Sequence, residues 1–302
     1  MLKTVVITGA AGVLGSDLVR KFTADPAVTV YALSSNPARF PAEFCAAPNI
    51  RICSNDDLFD GKIPLETVDC LIHAAFARSQ NGTELVSSIN FTRKVFECSV
   101  NKVKRFINVS TQGVYGGSTP TRSSEDDPIN PADLYSMAKY ACEELARIIF
   151  NNSTTAVTNI RLASLMGERY MNHLVAKITR AALDTHVIKV AGGTQRFSFL
   201  HSDDAVDGIF TVATSDAEKW KWLYNLGTDG GIVLTDIARG ISEAVGEAVG
   251  KKIPLEFRES NDAHTISLNM SRMKQDFNWQ AQRTLVDAAA GIIRKIQAAK
   301  GQ

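Results

Sequence analysis

The chain is short of the features that would place it in a bilayer, on a nucleic acid or around a metal. No apolar run in its 302 residues approaches the ~20 needed to cross a membrane. Charge of one sign is also scarce: 33 basic side chains meet 32 acidic ones, for a formal charge of +1. Neither half is a basic slab, so nucleic acid is not an expected partner. The five cysteines (Cys45, Cys53, Cys70, Cys98, Cys142) are odd in number, widely spaced and form no CxxC. That argues against a disulfide framework and for a reducing compartment. There is no HExxH and no paired Cys/His cluster, so no metal site is expected. Met1-Leu2-Lys3-Thr4-Val5-Val6-Ile7 runs straight into a strand pattern without signal-peptide architecture, and the expected location is the cytoplasm. What is present is a chain 45% hydrophobic, enough for one large α/β domain and a smaller one.

Val5-Val6-Ile7-Thr8 reads as a buried parallel strand, followed by Gly9-Ala10-Ala11-Gly12-Val13-Leu14-Gly15 and a helix to about Ala24. Glycines at this spacing permit a tight turn and let a phosphate approach backbone N–H groups at a helix N-terminus. The spacing differs by one position from G-x-G-x-x-G. A plain structural turn is the alternative, but the position between first strand and helix favours a dinucleotide. The second strand, residues 28–33, ends in Ser34-Ser35-Asn36, with Arg39 beyond. A carboxylate there would suit the adenosine ribose of NAD, whereas hydroxyls and an arginine suit a 2′-phosphate. The reading leans to NADP through Ser34 and Arg39, with NAD open.

The third strand, residues 50–53, leads to Asp57 and Leu58. We expect Asp57 to accept from the adenine amino group and Leu58 to lie against the ring, an Asx turn being the competing reading. Residues 68–75 form the fourth strand and its exit, where Ala74 and Ala75 leave room for the cofactor backbone. His73 reads as a buried packing residue. In the helical segment 85–101, Asn90 is expected near the sheet, holding a water or orienting the site backbone; exposure is the alternative. Residues 105–109 form a fifth strand that empties into Ser110-Thr111-Gln112-Gly113-Val114-Tyr115-Gly116. Strands alternating with helical patterns argue a doubly wound sheet, whose ligands sit beyond the carboxyl ends of the strands. Thr111 can then hydrogen-bond a substrate oxygen.

Tyr135-Ser136-Met137-Ala138-Lys139 places a tyrosine and a lysine four residues apart, on one helix face. A phenol ionises near pH ~10, and a neighbouring ammonium would lower that value and allow proton exchange with a hydroxyl. By itself the pattern is weak, because a helical tyrosine is commonly a packed amphipath and a lysine commonly faces solvent.

Four stretches in order, Thr8 to Gly15, His73-Ala74-Ala75, Ser110 to Gly116 and Tyr135 to Lys139, resemble the extended short-chain dehydrogenase/reductase family. Within it the pattern is similar to the NAD(P)-dependent epimerase/dehydratase group typified by UDP-glucose 4-epimerase. The resemblance implies a Rossmann-type doubly wound parallel sheet in residues 1–163. It implies a smaller mixed α/β substrate domain in 164–302, with segments around 197–215 returning to the first. It assigns catalysis to Thr111, Tyr135 and Lys139, with Lys139 also bonding the nicotinamide ribose. It suggests a homodimer through the helices near 85–100 and 135–150. In the second half, Ser164 stands where the family has a substrate-binding asparagine, and Glu168 where it has a proline. Arg196 would clamp a substrate pyrophosphate, a surface ion pair being the alternative, and Arg258 would be a second phosphate-binding arginine. Tyr224-Asn225-Leu226-Gly227 looks like a strand of the small domain, and Thr235 or Asp236 like the cap of the next helix.

The expected activity is a 4-epimerisation of a nucleotide sugar, by transient oxidation at C4 and return of the hydride. One alternative is an NADPH-dependent ketoreductase of a nucleotide sugar or another small carbonyl. The other is a non-enzymatic dinucleotide-binding regulator, which intact catalytic residues disfavour. Dehydration is disfavoured because Gln112-Gly113 occupy the places where relatives carry an Asp-Glu pair.

Overall fold

The computed structural model describes residues 2–117, 122–260 and 265–300. The N-terminal half alternates β1 (Thr4–Thr8), α1 (Val13–Thr23), β2 (Thr29–Ser34), α2 (Ala42–Ala46), β3 (Ile50–Ser54) and α3 (Asn55–Phe59). It continues with β4 (Cys70–His73), α4 (Gly82–Ser99), β5 (Arg105–Thr111), α5 (Leu134–Ile149) and β6 (Ala156–Leu162). After it come β7 (Ser164–Met166), α6 (Leu174–Thr185), β8 (Ile188–Ala191), β9 (Arg196–Phe197), β10 (Phe199–His201) and α7 (Ser202–Thr214). The chain closes with β11 (Leu223–Leu226), β12 (Ile232–Val233), α8 (Leu234–Val249), β13 (Leu255–Arg258), α9 (Ser271–Phe277) and α10 (Leu285–Lys300).

Seven parallel strands form one sheet in the order β11-β6-β5-β4-β1-β2-β3. The strands are apolar on both sides because both faces are covered. Phe22 of α1 meets Phe210 of α7 at 5.0 Å between ring centroids, and Lys21 pairs with Asp207 at 2.6 Å, so α7 packs beside α1. On the other face Phe96 of α4, Phe106 of β5 and Phe150 at the end of α5 form an aromatic layer, with centroids 5.1–5.5 Å apart. Strand order reverses between β1 and β4, so the loops leaving β1, β4 and β5 flank one crevice. A separate apolar core joins α6, α8 and α10, including Val175, Ile237, Ile241 and Ile292.

Two sequence expectations change. Residues 223–226 form β11, which pairs with β6 at the edge of the large sheet instead of building the small domain. Tyr224 and Leu226 are fully buried there. Helix α8 begins without a side-chain cap, so neither Thr235 nor Asp236 serves. Its first amides are satisfied by backbone: Leu234 N donates to Gln195 O at 2.9 Å and Thr235 N to Gly193 O at 3.1 Å.

His73, fully buried at the end of β4, ties three elements together. Thr92 Oγ1 donates to Ser88 O at 2.8 Å, so it can only accept from His73 Nε2 at 3.0 Å. Nδ1 then accepts from Thr8 Oγ1 at 2.8 Å. Burial, and secondarily the Lys139 charge, push the imidazole from its ordinary 6.5 down to about 3. Because the unfolded chain takes up this proton first, stability is lost as pH falls from 6.5 towards 3, by about 1.4 kcal/mol per unit. His73→Asn should flatten this slope in urea titrations between pH 7 and 5; an unchanged slope refutes the assignment.

Candidate active site

The turn after β1 is shaped by what is missing from its side chains. Gly9 has φ +68°, and a Cβ there would stand 2.8 Å from Ala75 Cα. A Cβ on Gly15 would stand 2.2 Å from Gly9 O, so α1 sits directly on the turn. Gly12 N donates to Gly9 O at 2.9 Å, which closes the turn and leaves the N-terminus of α1 facing the crevice.

Three adjoining cavities occupy the crevice. One of about 710 Å³ is lined by Gly9, Gly12, Ser34, Arg39, Ala74 and Ala75. A central one of about 360 Å³ holds Gly9, Gly12, Val13, Leu14, Gly15 and Ala74, and on its opposite wall Thr111, Tyr135, Lys139 and Ser164. The outer one, about 410 Å³, again shows Thr111, Tyr135 and Ser164, now with Gln112, and Arg78 borders both. Thr111 and Tyr135 therefore stand at the junction of the central and outer spaces.

Helix α5 brings Tyr135 and Lys139 to this junction. Asp133 caps it, accepting from Ser136 N at 2.9 Å and from Ser136 Oγ at 3.0 Å. The helix lies close against the turn after β5, because a Cβ at Gly113 would be 2.2 Å from Ser136 Oγ. Thr111 Oγ1 accepts from Gly113 N at 3.2 Å. Lys139, 3% exposed, donates to Val109 O, and its Nζ stands 4.5 Å from the Phe76 ring centroid. The Phe76 ring meets Tyr135 edge-on at 5.9 Å. Burial lowers Lys139 from 10.5 to about 8.

The electrostatics differ from the sequence expectation. Burial holds the Tyr135 phenol above its ordinary value; Arg78 works against this and Asp133 adds to it. The opposing cation is Arg78, since the Lys139 ammonium is turned to the Val109 carbonyl and the Phe76 face. Arg78 is steadied by His173, whose Nε2 accepts from Nη1 at 3.0 Å.

Other expected contacts are also relocated. Asp57 closes a capping box on α3: Ser54 N donates to its Oδ2 at 2.8 Å, while Lys62 Nζ donates to Oδ1 at 2.6 Å. Leu58 is 2% exposed and sits in the core beneath the sheet. Neither lines the large cavity. Asn55 does, and its Oδ1 is buried without a hydrogen-bond partner. The Ser54-x-x-Asp57 spacing is that of a capping box, a local signal that accounts for Asp57 but not for Asn55. Asn90 lies on the exposed face of α4 and lines none of the three cavities. Arg196 borders a different cavity of about 430 Å³ together with Arg122 and Asp229, and its Nη1 donates to Gly230 O at 3.3 Å. Arg258, exposed at the end of β13, does not line that cavity. Phe76, Arg78 and Asn55 carried no sequence signal as site residues; their places follow from how the loops after β3 and β4 turn into the crevice.

These residues fit a dinucleotide. The Gly9–Gly15 cradle is one that a Cβ would fill, α1 offers free amides, and Asn55 Oδ1 is a buried acceptor awaiting a donor. Fold and site together define a dinucleotide-dependent oxidoreductase class, with a tyrosine and a lysine lining the central cavity. The chain belongs to the NAD dependent epimerase/dehydratase family, whose model matches residues 5–227. It is 27% identical to a UDP-glucose 4-epimerase of Mycolicibacterium smegmatis, over 95% of this chain and 96% of that protein. It is 24% identical to a dTDP-glucose 4,6-dehydratase of Streptomyces griseus, over 97% and 94%. Its fold is similar to the crystal structure of a UDP-N-acetylglucosamine 4-epimerase from Bacillus cereus, with TM-score 0.81 and 19% identity over 98% of this chain and 100% of that one.

Asn55→Ala should weaken dinucleotide binding by roughly tenfold, the worth of one buried hydrogen bond. Asp57→Asn should leave the affinity unchanged. Calorimetric titration with the two variants giving the opposite order would restore Asp57 to the site.

Proposed function

We propose that the protein epimerises a nucleotide sugar at C4, keeping its dinucleotide bound through the cycle. The observation that carries this reading is the placement of Thr111 and Tyr135 on the wall shared by the central and outer cavities. A sugar hydroxyl in the outer space would meet the Tyr135 Oη and the Thr111 Oγ1 where the central space begins. Bound there, the nicotinamide supplies hydride acceptance and donation. Tyr135 takes the hydroxyl proton in one direction and returns it in the other, and Thr111 holds the same oxygen. Lys139 fixes α5 against the strand end and presents a cation beside the ribose position. Phe76, Ala74 and Leu162 contribute apolar surface to the central space.

Two local facts speak against dehydration, which needs an additional acid and base. Gln112 is bound to the Ser198 carbonyl at 3.1 Å and to Ser164 Oγ at 3.3 Å, and it cannot titrate. Gly113 has no side chain to titrate, and a Cβ there would stand 2.2 Å from Ser136 Oγ, so any larger residue must displace that hydroxyl. The curated relatives include a 4-epimerase that the chain spans nearly in full. Exposed Val86 of α4 with Met137 and Ile148 of α5, on helices packed side by side, supports a homodimer through this face.

A net NADPH-dependent ketoreductase is the second reading. It is favoured by Arg39 at the rim of the large cavity and by hydroxyls at the end of β2, where no carboxylate stands. Arg39→Ala should weaken NADP binding more than NAD binding; equal losses remove Arg39 as reader of a 2′-phosphate.

The deciding experiment measures bound nucleotide and turnover on purified protein. Stoichiometric NAD and interconversion of UDP-hexose epimers, with no net consumption of added coenzyme, is the expected result. Steady NADPH oxidation with a keto substrate would favour the reductase, and binding without turnover a regulator. Tyr135→Phe should lose roughly 10²–10⁴-fold in rate while retaining the dinucleotide. Parent-level activity in that variant would sink the mechanism.

A further inference from the structure

The face of α5 that carries Tyr135 and Lys139 continues, one turn further, to Glu143. This carboxylate is 2% exposed and lies on no cavity described above. Ser110 Oγ donates to its Oε1 at 2.5 Å. Arg161 of β6, 4% exposed, forks onto it: Nη2 donates to Oε2 at 2.7 Å and Nε to Oε1 at 3.1 Å. Ser110 and Arg161 are also partners in the β5–β6 ladder, so one carboxylate joins a helix to two neighbouring strands.

The clamp reaches both sides of Thr111. Ser110 precedes it. On the far side of the turn, the Arg161 guanidinium carbon stands 4.7 Å from the Tyr115 ring centroid. Tyr115 Oη in turn donates to Asn225 Oδ1 of β11 at 2.8 Å. Asn225 N donates to Glu125 Oε1 at 2.8 Å, which anchors the loop that leads to α5. A buried ion pair is a weak source of stability, since apolar residues of similar volume often serve as well. Here the pair spans the two elements that bring Thr111 and Tyr135 together.

We propose that Glu143, gripped by Arg161 and Ser110, is a positioning residue of the reaction, setting the Tyr135–Lys139 helix in register with Thr111. The proposal rests on the dinucleotide-dependent reading of the site. Its electrostatic consequence concerns Lys139. The groups facing that ammonium are Glu143 and Cys142 on its own helix, the neutral His73 of β4, and the Phe76 ring and Val109 carbonyl. Glu143 is the carboxylate among them that favours the ammonium.

The test is the double variant Glu143→Gln/Arg161→Gln, which removes both charges and leaves neither partner as a lone buried ion. With parent-like near-ultraviolet circular dichroism and dinucleotide affinity, kcat should fall roughly 10–100-fold while KM is unchanged. The basic limb of the pH–rate profile should move to lower pH, because Lys139 loses the carboxylate that favours its charged form. A folded double variant with parent kcat and parent pH profile overturns the proposal. Should the double variant fail to fold, Ser110→Ala decides. It deletes one bond to Glu143 and keeps the ion pair, so reduced kcat at unchanged Tm supports the proposal and parent kcat overturns it. Parent protein without turnover under the same conditions sinks the functional reading, and this proposal with it.

Discussion

The site depends on the docking of one helix against the exit of one strand. Thr111 ends β5, Tyr135 and Lys139 lie on α5, and more than twenty residues of chain separate them. Three contacts hold the two together: the Ser136 side chain against a bare Gly113, the Lys139 ammonium on the Val109 carbonyl, and Ser110 on Glu143. Each is short-range, and each would open if α5 rolled or slid. Proton transfer is sensitive to such shifts, so the proposed chemistry would need this joint to be rigid.

The opposite wall of the crevice is built by subtraction. Gly9 and Gly15 let α1 approach the sheet so closely that backbone meets backbone, and Ala74 and Ala75 keep the exit of β4 low. One wall is therefore small side chains and free amides, suited to a phosphate backbone. The other is a hydroxyl, a phenol and an ammonium, suited to moving a proton. Burial shapes both titrating groups there, raising the phenol and lowering the ammonium. The phenol must therefore ionise before it can accept a proton, and the cation that opposes its burial is Arg78.

Legibility of the site in the sequence followed the locality of each signal. The glycine turn and the Tyr135–Lys139 spacing were readable because they lie within one turn and one helix. Asp57 was misplaced because Asp at that spacing from Ser54 serves its own helix end first. Asn55, the first residue of that helix, faces the cavity instead. Asn90 was misplaced because α4 presents Leu85, Thr92 and Phe96 to the sheet, which turns Asn90 outward. Residues 223–226 looked local and proved to be an edge strand of the large sheet, a pairing made across more than sixty residues of chain.

The sequence by itself determined the strand–turn–helix order, the doubly wound class and the residues able to exchange a proton. Those follow from hydrophobic period, glycine placement and side-chain chemistry, all of them local properties. Only the tertiary structure decided which charge stands beside the phenol, which buried acceptor lines the large cavity without a partner, and that Glu143 and Arg161 close on each other under the site. Those facts depend on distances between segments far apart in the chain, which no local pattern encodes.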